Sequence, residues 1–466
     1  MNAREAVGIG VTATLAAFVA ETRLEVVPSD VVAAAKRSLA DAIGVSVAGA
    51  RQPGPRILAA YVRDLDAAPL DSVIGHDMRS TPALAAWVNG TSADVLGWAD
   101  FSVVHMNHPS AAIAPAVVAL GEAIGASGSD MLLAYLLGVE ISNKLAQGVK
   151  PGFHVRGWHA LGVCNTFGSA AAASRLLRLD AHATANALGI AGADASGMKA
   201  SMVTMTKSYV AGAAGRDGIE AAQLAKRGFT GPANVIEGRD GFLQTFGAGA
   251  AAENVLRDLG NPFEFISPGL TLKLYPSCTH THTAIAAALR LRHEHGIAPD
   301  AIESVTCSVT PVVYDFLAWP SPRNAREAKF SMQFCVATAL IKGDVRLSDF
   351  TDEAVDDPAT IALMKRIEMV ISPEFAALGY NPVQAPSGCI MTVRLTGGGS
   401  HTERMERGPW EPPRIPAWND LLDKFVGASA GVLDADAARR AFSMLQNIDT
   451  LARVDELTTI LRGGNA

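Results

Sequence analysis

Four neighbourhoods of the chain gather residues able to carry protons or hold anions. In the first, Asp100, His105 and His108 fall within nine positions. In the second, His159 stands in Gly157-Trp158-His159-Ala160-Leu161-Gly162, a lone imidazole between glycines. The third sets Lys207 among hydroxyls and apolar residues in Thr204-Met205-Thr206-Lys207-Ser208-Tyr209. The fourth, Lys273-Leu274-Tyr275-Pro276-Ser277-Cys278-Thr279-His280-Thr281-His282, lies at the start of a helical pattern. An imidazole titrates near neutral pH, so histidine is the natural proton carrier. Lysine supplies positive charge where an anion binds or negative charge develops.

Each group also has a structural reading. His159 can brace its Gly-rich turn, Lys207 can be a solvated surface lysine, and His280 can cap the helix that follows. His105 and His108 are three apart without an HxxxH or carboxylate pattern, so no metal site is expected. His280 and His282, two apart, suit a strand face and not a helix face. No GxGxxG follows a strand and no GxxxxGK[ST] occurs, so nucleotide binding is unsupported. A GxSxG elbow is also missing from the sequence, which argues against a serine hydrolase. No cofactor is expected.

The elements that must position these groups are mostly helices. With 466 residues the chain is too long for one core, and two domains are the natural expectation. Sparse aromatics with abundant Ala and Gly favour tightly packed helices over a β-sandwich. Pro28-Ser29-Asp30 opens a helix whose Val32, Ala35, Leu39, Ile43 and Val47 recur at helical spacing. Ser127 and Asp130 form a capping-box pattern, and Asp180 is placed to cap the next helix. Gly168 and Ala170 to Ala173 allow two helices to approach closely. The apolar run 6–20 leads into Glu21, Arg23 and Glu25 and reads as an amphipathic first helix, not a signal segment.

The pattern changes near Asn261-Pro262. A helix over 281–295 precedes the period-two run Val305, Cys307, Val309, and further strands are expected at 367–371, 390–395 and, after Gly397-Gly398-Gly399, through Met405. Antiparallel pairing is expected, with a helix over 327–341 between strands. A Pro-rich connector at 409–416 leads to a helical tail with Leu421, Phe425, Phe442 and Leu445. The fold class is therefore mainly α with an inserted α+β domain: residues 1–265, completed by 410–466, form a helical domain, and 266–409 an α/β lid.

Charge and cysteine usage limit the partners. The formal net charge of -7 makes nucleic acid and anionic membrane poor partners. No run reaches the roughly 20 apolar residues of a membrane span. Five widely spaced cysteines suggest neither a disulfide framework nor a zinc site, which fits a cytoplasmic protein.

These neighbourhoods, in this order, resemble the MmgE/PrpD family, which includes 2-methylcitrate dehydratases, cis-aconitate decarboxylases and iminodisuccinate epimerases. The resemblance rests on Ala35-Lys36-Arg37 through Gly49, Asn89-Gly90-Thr91, His108-Pro109-Ser110, Gly157-Trp158-His159 and Thr166-Phe167-Gly168. It continues through Thr204-Met205-Thr206-Lys207, Arg227-Gly228-Phe229-Thr230-Gly231, Lys273 to Cys278 and Glu327-Ala328-Lys329-Phe330-Ser331. It implies a helical domain with a smaller α/β lid, a homodimer, no metal, and a cleft between domains that takes a small carboxylate. By position, His108, His159, Lys207 and Lys273 match residues lining the family's site, and His280 lies in the matching loop; Asp100, His105 and Ser277 are added as substrate-binding candidates.

The chain also departs from the family pattern. Where many members carry Asp-[Phe/Tyr]-Asp-Asp, it has Gly97-Trp98-Ala99-Asp100, followed by Phe101 in place of a threonine. Phe334 stands where the decarboxylase has a tyrosine, and Cys278 where it has a histidine. The resemblance implies a lyase that moves a proton on the carbon next to a carboxylate, with His159 transferring it and Lys207, Lys273 and His108 stabilising the anion. In a dehydration, His280 or His105 can protonate the departing hydroxyl. Dehydration of a 2-methylcitrate-like acid comes first, epimerisation and decarboxylation are alternatives, and a non-catalytic carboxylate-binding paralogue is a further one. Gly97, Trp98 and Phe101 predict a more apolar pocket mouth.

Overall fold

The computed structural model describes residues 10–149, 152–202, 204–379 and 387–463. Two compact units are formed, one from Met1–Leu270 with Pro416–Ala466 and one from Thr271–Ile415. The fold is mainly helical, with α+β structure in the second unit.

Helices of eight or more residues are numbered here. The first unit contains α1 (Val11–Glu21), α2 (Ser29–Gly49), α3 (Pro53–Asp64), α4 (Pro82–Val95), α5 (Ser110–Ile124), α6 (Gly128–Gly148), α7 (Ala160–Leu176), α8 (Ala181–Asp194) and α9 (Met205–Lys226). Caps fix several starts. The Ser127 hydroxyl accepts from the Asp130 N–H at 3.1 Å before α6, and the Asp180 carboxylate accepts from the Ala183 N–H at 2.7 Å before α8. Residues 6–9 of the expected first helix lie outside the described residues, and the helix begins at Val11.

Small residues bring the helix axes together as expected. A Cβ on Gly168 of α7 would lie 2.7 Å from the Gly138 carbonyl oxygen of α6. A Cβ on Gly212 of α9 would lie 2.0 Å from the Trp87 oxygen of α4, so these two helices touch backbone to backbone. An antiparallel hairpin, β1 (Asp71–Val73) and β2 (Met78–Ser80), was not expected in this half. Asn89 of the Asn-Gly-Thr motif secures it, accepting from the Ile74 N–H at 2.8 Å and donating to the Ser72 carbonyl at 3.2 Å.

In the second unit, α10 (His282–His295) and α11 (Met332–Lys342) pack on a four-stranded sheet of order β4-β3-β5-β6. Its strands are β3 (Ile302–Val309), β4 (Ile367–Ile371), β5 (Cys389–Leu395) and β6 (Ser400–Met405). Val305 pairs with Val393, as the period-two patterns require, and Val305, Cys307 and Val309 face the core. The expectation of purely antiparallel pairing is corrected: β3 and β4 run parallel. The segment between them carries α11 and crosses back over the sheet, which a parallel pair needs. The helix expected over 327–341 is also broken. A short turn, Ala325–Ala328, ends at Lys329, and Ser331 starts α11 afresh by accepting from the Phe334 N–H at 3.2 Å. The turn between β5 and β6 uses Gly398 and Gly399 at φ +88° and +90°, a region only glycine enters without strain.

The chain returns to the first unit through α12 (Trp418–Ser429), α13 (Ala435–Gln446) and α14 (Asp455–Arg462). Phe425 of α12 packs where Gly44 of α2 leaves room, because a Cβ there would meet its ring at 2.7 Å. Among the described residues, no helix is long and apolar enough to cross a membrane.

Candidate active site

His159 is the residue just before α7. Its backbone N–H donates to the Gly197 carbonyl at 3.0 Å, and the Lys199 N–H donates to the Gly157 carbonyl at 2.8 Å. The strand-like pairing of 157–159 with 197–199 therefore fixes His159 at the helix entrance. Gly162 makes this approach feasible, since a Cβ there would stand 1.9 Å from the Ser196 oxygen.

The His159 side chain is only 7 % exposed, yet its ring nitrogens make no hydrogen bond to the described residues. A buried polar group usually has a partner. Burial pushes its pKa down to about 3, aided by the positive charge of Lys207, then His154 and Lys199. The imidazole is thus neutral near pH 7, with a lone pair ready to accept a proton.

Lys207 sits in the first turn of α9, behind the Thr204 cap. Its ammonium does not stand alone. Nζ lies 2.6 and 2.8 Å from the two carboxylate oxygens of Asp94, in the last turn of α4. Asp94 was missed in the sequence reading. No local pattern marks it, and its pairing depends on the α4–α9 contact at Gly212. Gly97, three residues on, has open space where a Cβ would be. One helical turn before Gly97 the chain thus carries another carboxylate, paired with Lys207. Trp98 is buried beneath the Lys424 ammonium, 4.6 Å from its ring centroid, and Phe101 packs on His108 with ring centroids 4.7 Å apart.

His108 is oriented by main chain. Its Nδ1 lies 2.7 Å from the Asp100 carbonyl, which can only accept, so Nδ1 carries the hydrogen. The Asp100 carboxylate is itself buried, accepting from the Ser38 and Ser110 hydroxyls. Burial lifts its pKa to about 6 against those hydrogen bonds. It holds the start of α5. His105 points elsewhere, to Glu264 at 2.7 Å. Beneath these groups a small apolar cluster of Ala93, Ala99, Ala111, Leu161 and Ala211 joins α4, α5, α7, α9 and the 99–100 turn.

The remaining sequence candidates belong to the second unit. Lys273 is buried, and its charge, after burial itself, holds the His280 pKa down at about 4. His280 Nδ1 lies 3.1 Å from the Ser387 hydroxyl, and its ring packs on Phe316. Ser277 Oγ bonds Thr281 Oγ1 at 2.7 Å. The Cys278 N–H donates to the Lys329 carbonyl at 2.9 Å, joining two motifs of the sequence. Among the described residues no cluster of three His, Cys, Asp or Glu side chains is arranged to hold a metal ion.

The MmgE/PrpD N-terminal domain matches residues 13–254, and the MmgE/PrpD C-terminal domain matches residues 275–450. The chain belongs to the MmgE/PrpD family. Its MmgE/PrpD C-terminal match runs beyond Ile415 into helices that fold with the first unit. Among relatives, cis-aconitate decarboxylase of Homo sapiens is 28% identical over 450 residues, covering 93% of this chain and 90% of that protein. The Mus musculus protein of the same name is 27% identical over 469 residues, covering 97% and 93%. The 2-methylcitrate dehydratase of Salmonella typhimurium is 25% identical over 240 residues, 49% of each chain.

Proposed function

We propose that this MmgE/PrpD protein is a lyase that moves a proton at the carbon next to a carboxylate of a small di- or tricarboxylate, in the first place as a hydro-lyase resembling 2-methylcitrate dehydratase. The observation that carries the proposal is the His159 ring: largely buried, neutral and without a hydrogen-bond partner among the described residues. Such a ring is a general base awaiting a substrate hydrogen. An anionic substrate beside it opposes the field of Lys207 and makes the ring more basic.

In dehydration, His159 takes the proton from the carbon next to the carboxylate. The electron pair left on that carbon forms the double bond, the neighbouring C–O bond breaks, and its electrons leave on oxygen. That oxygen takes a proton from the Lys207 ammonium and departs as water. Solvent then restores both groups. Deprotonation concentrates negative charge on the substrate carboxylate, which positive charge and oriented donors stabilise. His108, oriented through Nδ1 by the Asp100 carbonyl, is the donor proposed for that charge when protonated. Lys273 and His280 of the second unit are proposed as carboxylate-binding and proton-carrying residues.

Decarboxylation is a second reading, favoured by relatives named as cis-aconitate decarboxylases that match nearly the whole chain. There the site would give a proton to the carbon that carbon dioxide leaves. Incubation with di- and tricarboxylates in deuterated water tests both. Dehydration predicts deuterium exchange at the carbon next to the carboxylate together with an unsaturated product. Decarboxylation predicts carbon dioxide release with one deuterium in the product. The absence of both, across 2-methylcitrate, citrate and cis-aconitate, would reject the proposal.

A further inference from the structure

Close packing of α6 on α7 gathers a set of polar side chains inside the first unit. Gly138 of α6 and Gly168 of α7 leave room for the approach, and a Cβ on Gly168 would also stand 2.8 Å from the Ser142 Cβ. Ser142 lies four residues after Gly138, and Asn165 three before Gly168, so both stand on the faces that meet. Asn107, Ser142, Asn143 and Asn165 are fully buried there.

The Asn165 amide has a defined direction. Its Nδ2 lies 3.0 Å from the His108 carbonyl oxygen, which can only accept, so that end of the amide is the nitrogen. Its Oδ1 accepts from the Ser142 hydroxyl and from the Asn107 amide nitrogen, the latter at 3.0 Å. One side chain thus grips the loop at two successive residues, Asn107 by its side chain and His108 by its main chain. The helix that supplies this grip, α7, begins next to His159. Apolar packing could hold the loop as firmly but would fix no direction. A buried amide hydrogen-bonded at both ends specifies one arrangement.

We infer that Asn165 is a positioning residue that sets the place of His108 relative to His159. It ties the loop carrying the donor to the helix that has the base at its entrance. The inference rests on the proposed function, in which the two imidazoles act on one substrate. The His159 N–H is held separately, by the Gly197 carbonyl. A change at Asn165 should therefore disturb one imidazole and spare the other.

The test compares three variants of the full-length protein. Asn165→Leu keeps similar volume and removes the hydrogen bonds. Asn165→Ser keeps a hydroxyl for Ser142 but is too short to reach the His108 carbonyl. Ser142→Ala weakens the same cluster and leaves the Asn165–His108 bond in place. Histidine NMR, with signals assigned from His108→Gln and His159→Gln, reads the two rings without substrate. The His108 signal should shift or broaden in both Asn165 variants, the His159 signal should stay, and Ser142→Ala should move neither. In turnover, Asn165→Leu should lower kcat about 10- to 100-fold per folded molecule, since small misplacements near the chemistry cost rate on that scale. KM should change less than about twofold.

A His108 signal unmoved in a folded Asn165 variant, or moved as far by Ser142→Ala, would overturn the inference. So would a moved signal with unchanged kcat, or failure of both Asn165 variants to fold, which would make the residue a stability determinant. Failure of the proposed function reads differently: the wild type would then be inactive in deuterated water, whereas the His108 signal is recorded without turnover.

Discussion

His105 Nε2 lies 2.7 Å from Glu264 Oε2, and the other Glu264 oxygen lies 2.9 Å from Lys144 Nζ, all three side chains being at most 2 % exposed. Glu140 continues the network, accepting from the Glu264 N–H at 2.8 Å and the Gly260 N–H at 2.9 Å. Burial opposes ionisation of Glu264, but His105 and Lys144 outweigh it and hold its pKa below the ordinary value. Burial, then the Glu264 charge, lifts Glu140 to about 7. The network pins the 260–264 segment to α6.

That arrangement makes Glu264 a stability residue. Glu264→Gln leaves the Lys144 ammonium buried with its main counter-charge removed. Breaking a buried pair in this way costs about 3–5 kcal/mol. Urea unfolding at pH 7 should show a loss of that size, with turnover per folded molecule changed only slightly. A variant as stable as the wild type but inactive would move His105 and Glu264 into the chemistry.

Gly162 offers a second prediction, linking packing to catalysis. A Cβ at this position would overlap the Ser196 oxygen at 1.9 Å and the Val210 side chain at 2.5 Å. Gly162→Ala must push apart the two segments that hold the His159 backbone. Overpacking typically costs about 1–3 kcal/mol, and the displaced imidazole should lower kcat beyond what the remaining folded fraction explains. Unfolding curves and kcat measured on the same preparation check this; unchanged stability and rate would mean that 197–199 does not set the His159 position.

Features governed by near neighbours were legible in the sequence. The caps at Ser127 and Asp180 follow from residues three positions apart, and the β5–β6 hairpin from its three glycines. The small residues of α7 announced a close helix contact. Long-range pairing was not legible. Asp94 and Lys207 are 113 residues apart and His105 and Glu264 159 apart, and nothing beside them marks either partner. The parallel β3–β4 pair was read as antiparallel because side-chain alternation is the same in both. The hairpin at 71–80 has strands too short to show a period. His159 and Lys207 stood out because polar groups are unusual amid glycines and apolar residues. The sequence could not say that the ring of one would have no hydrogen bond to the described residues and that the ammonium of the other would be paired.

Lys273 and His280 give a third prediction, for the second unit. Lys273→Met removes a buried positive charge, so KM for the carboxylate should rise together with any fall in kcat. The same change removes the field that helps hold His280 at about 4, so its pKa should move up toward 6.5. Histidine NMR on Lys273→Met reads that shift without any substrate. An unmoved resonance would show that burial alone sets the His280 value.

The last prediction concerns His159 and its pH dependence. Its pKa falls from 6.5 in the unfolded chain to about 3 in the folded one. Between these values the unfolded state binds a proton that the folded state refuses. Stability contributed by the neutral ring is therefore fully present above 6.5, and it is lost progressively as the pH falls towards 3. At pH 5 this amounts to about 2 kcal/mol relative to pH 7. His159→Gln cannot titrate, so the stability difference between variant and wild type should shift by about that amount in favour of the variant when the pH drops from 7 to 5. For turnover, the variant keeps similar bulk but loses the proton-accepting nitrogen, and kcat should fall by about 10²–10⁴-fold while substrate still binds. The acidic limb of the free enzyme's kcat/KM should show no step near 6.5 from this ring. If His159 only braces the Gly157–Gly162 turn, the variant will lose stability at pH 7 and keep most of its turnover. That pattern would remove His159 from proton transfer and leave His108, with its Nδ1 held by the Asp100 carbonyl, as the next base to test.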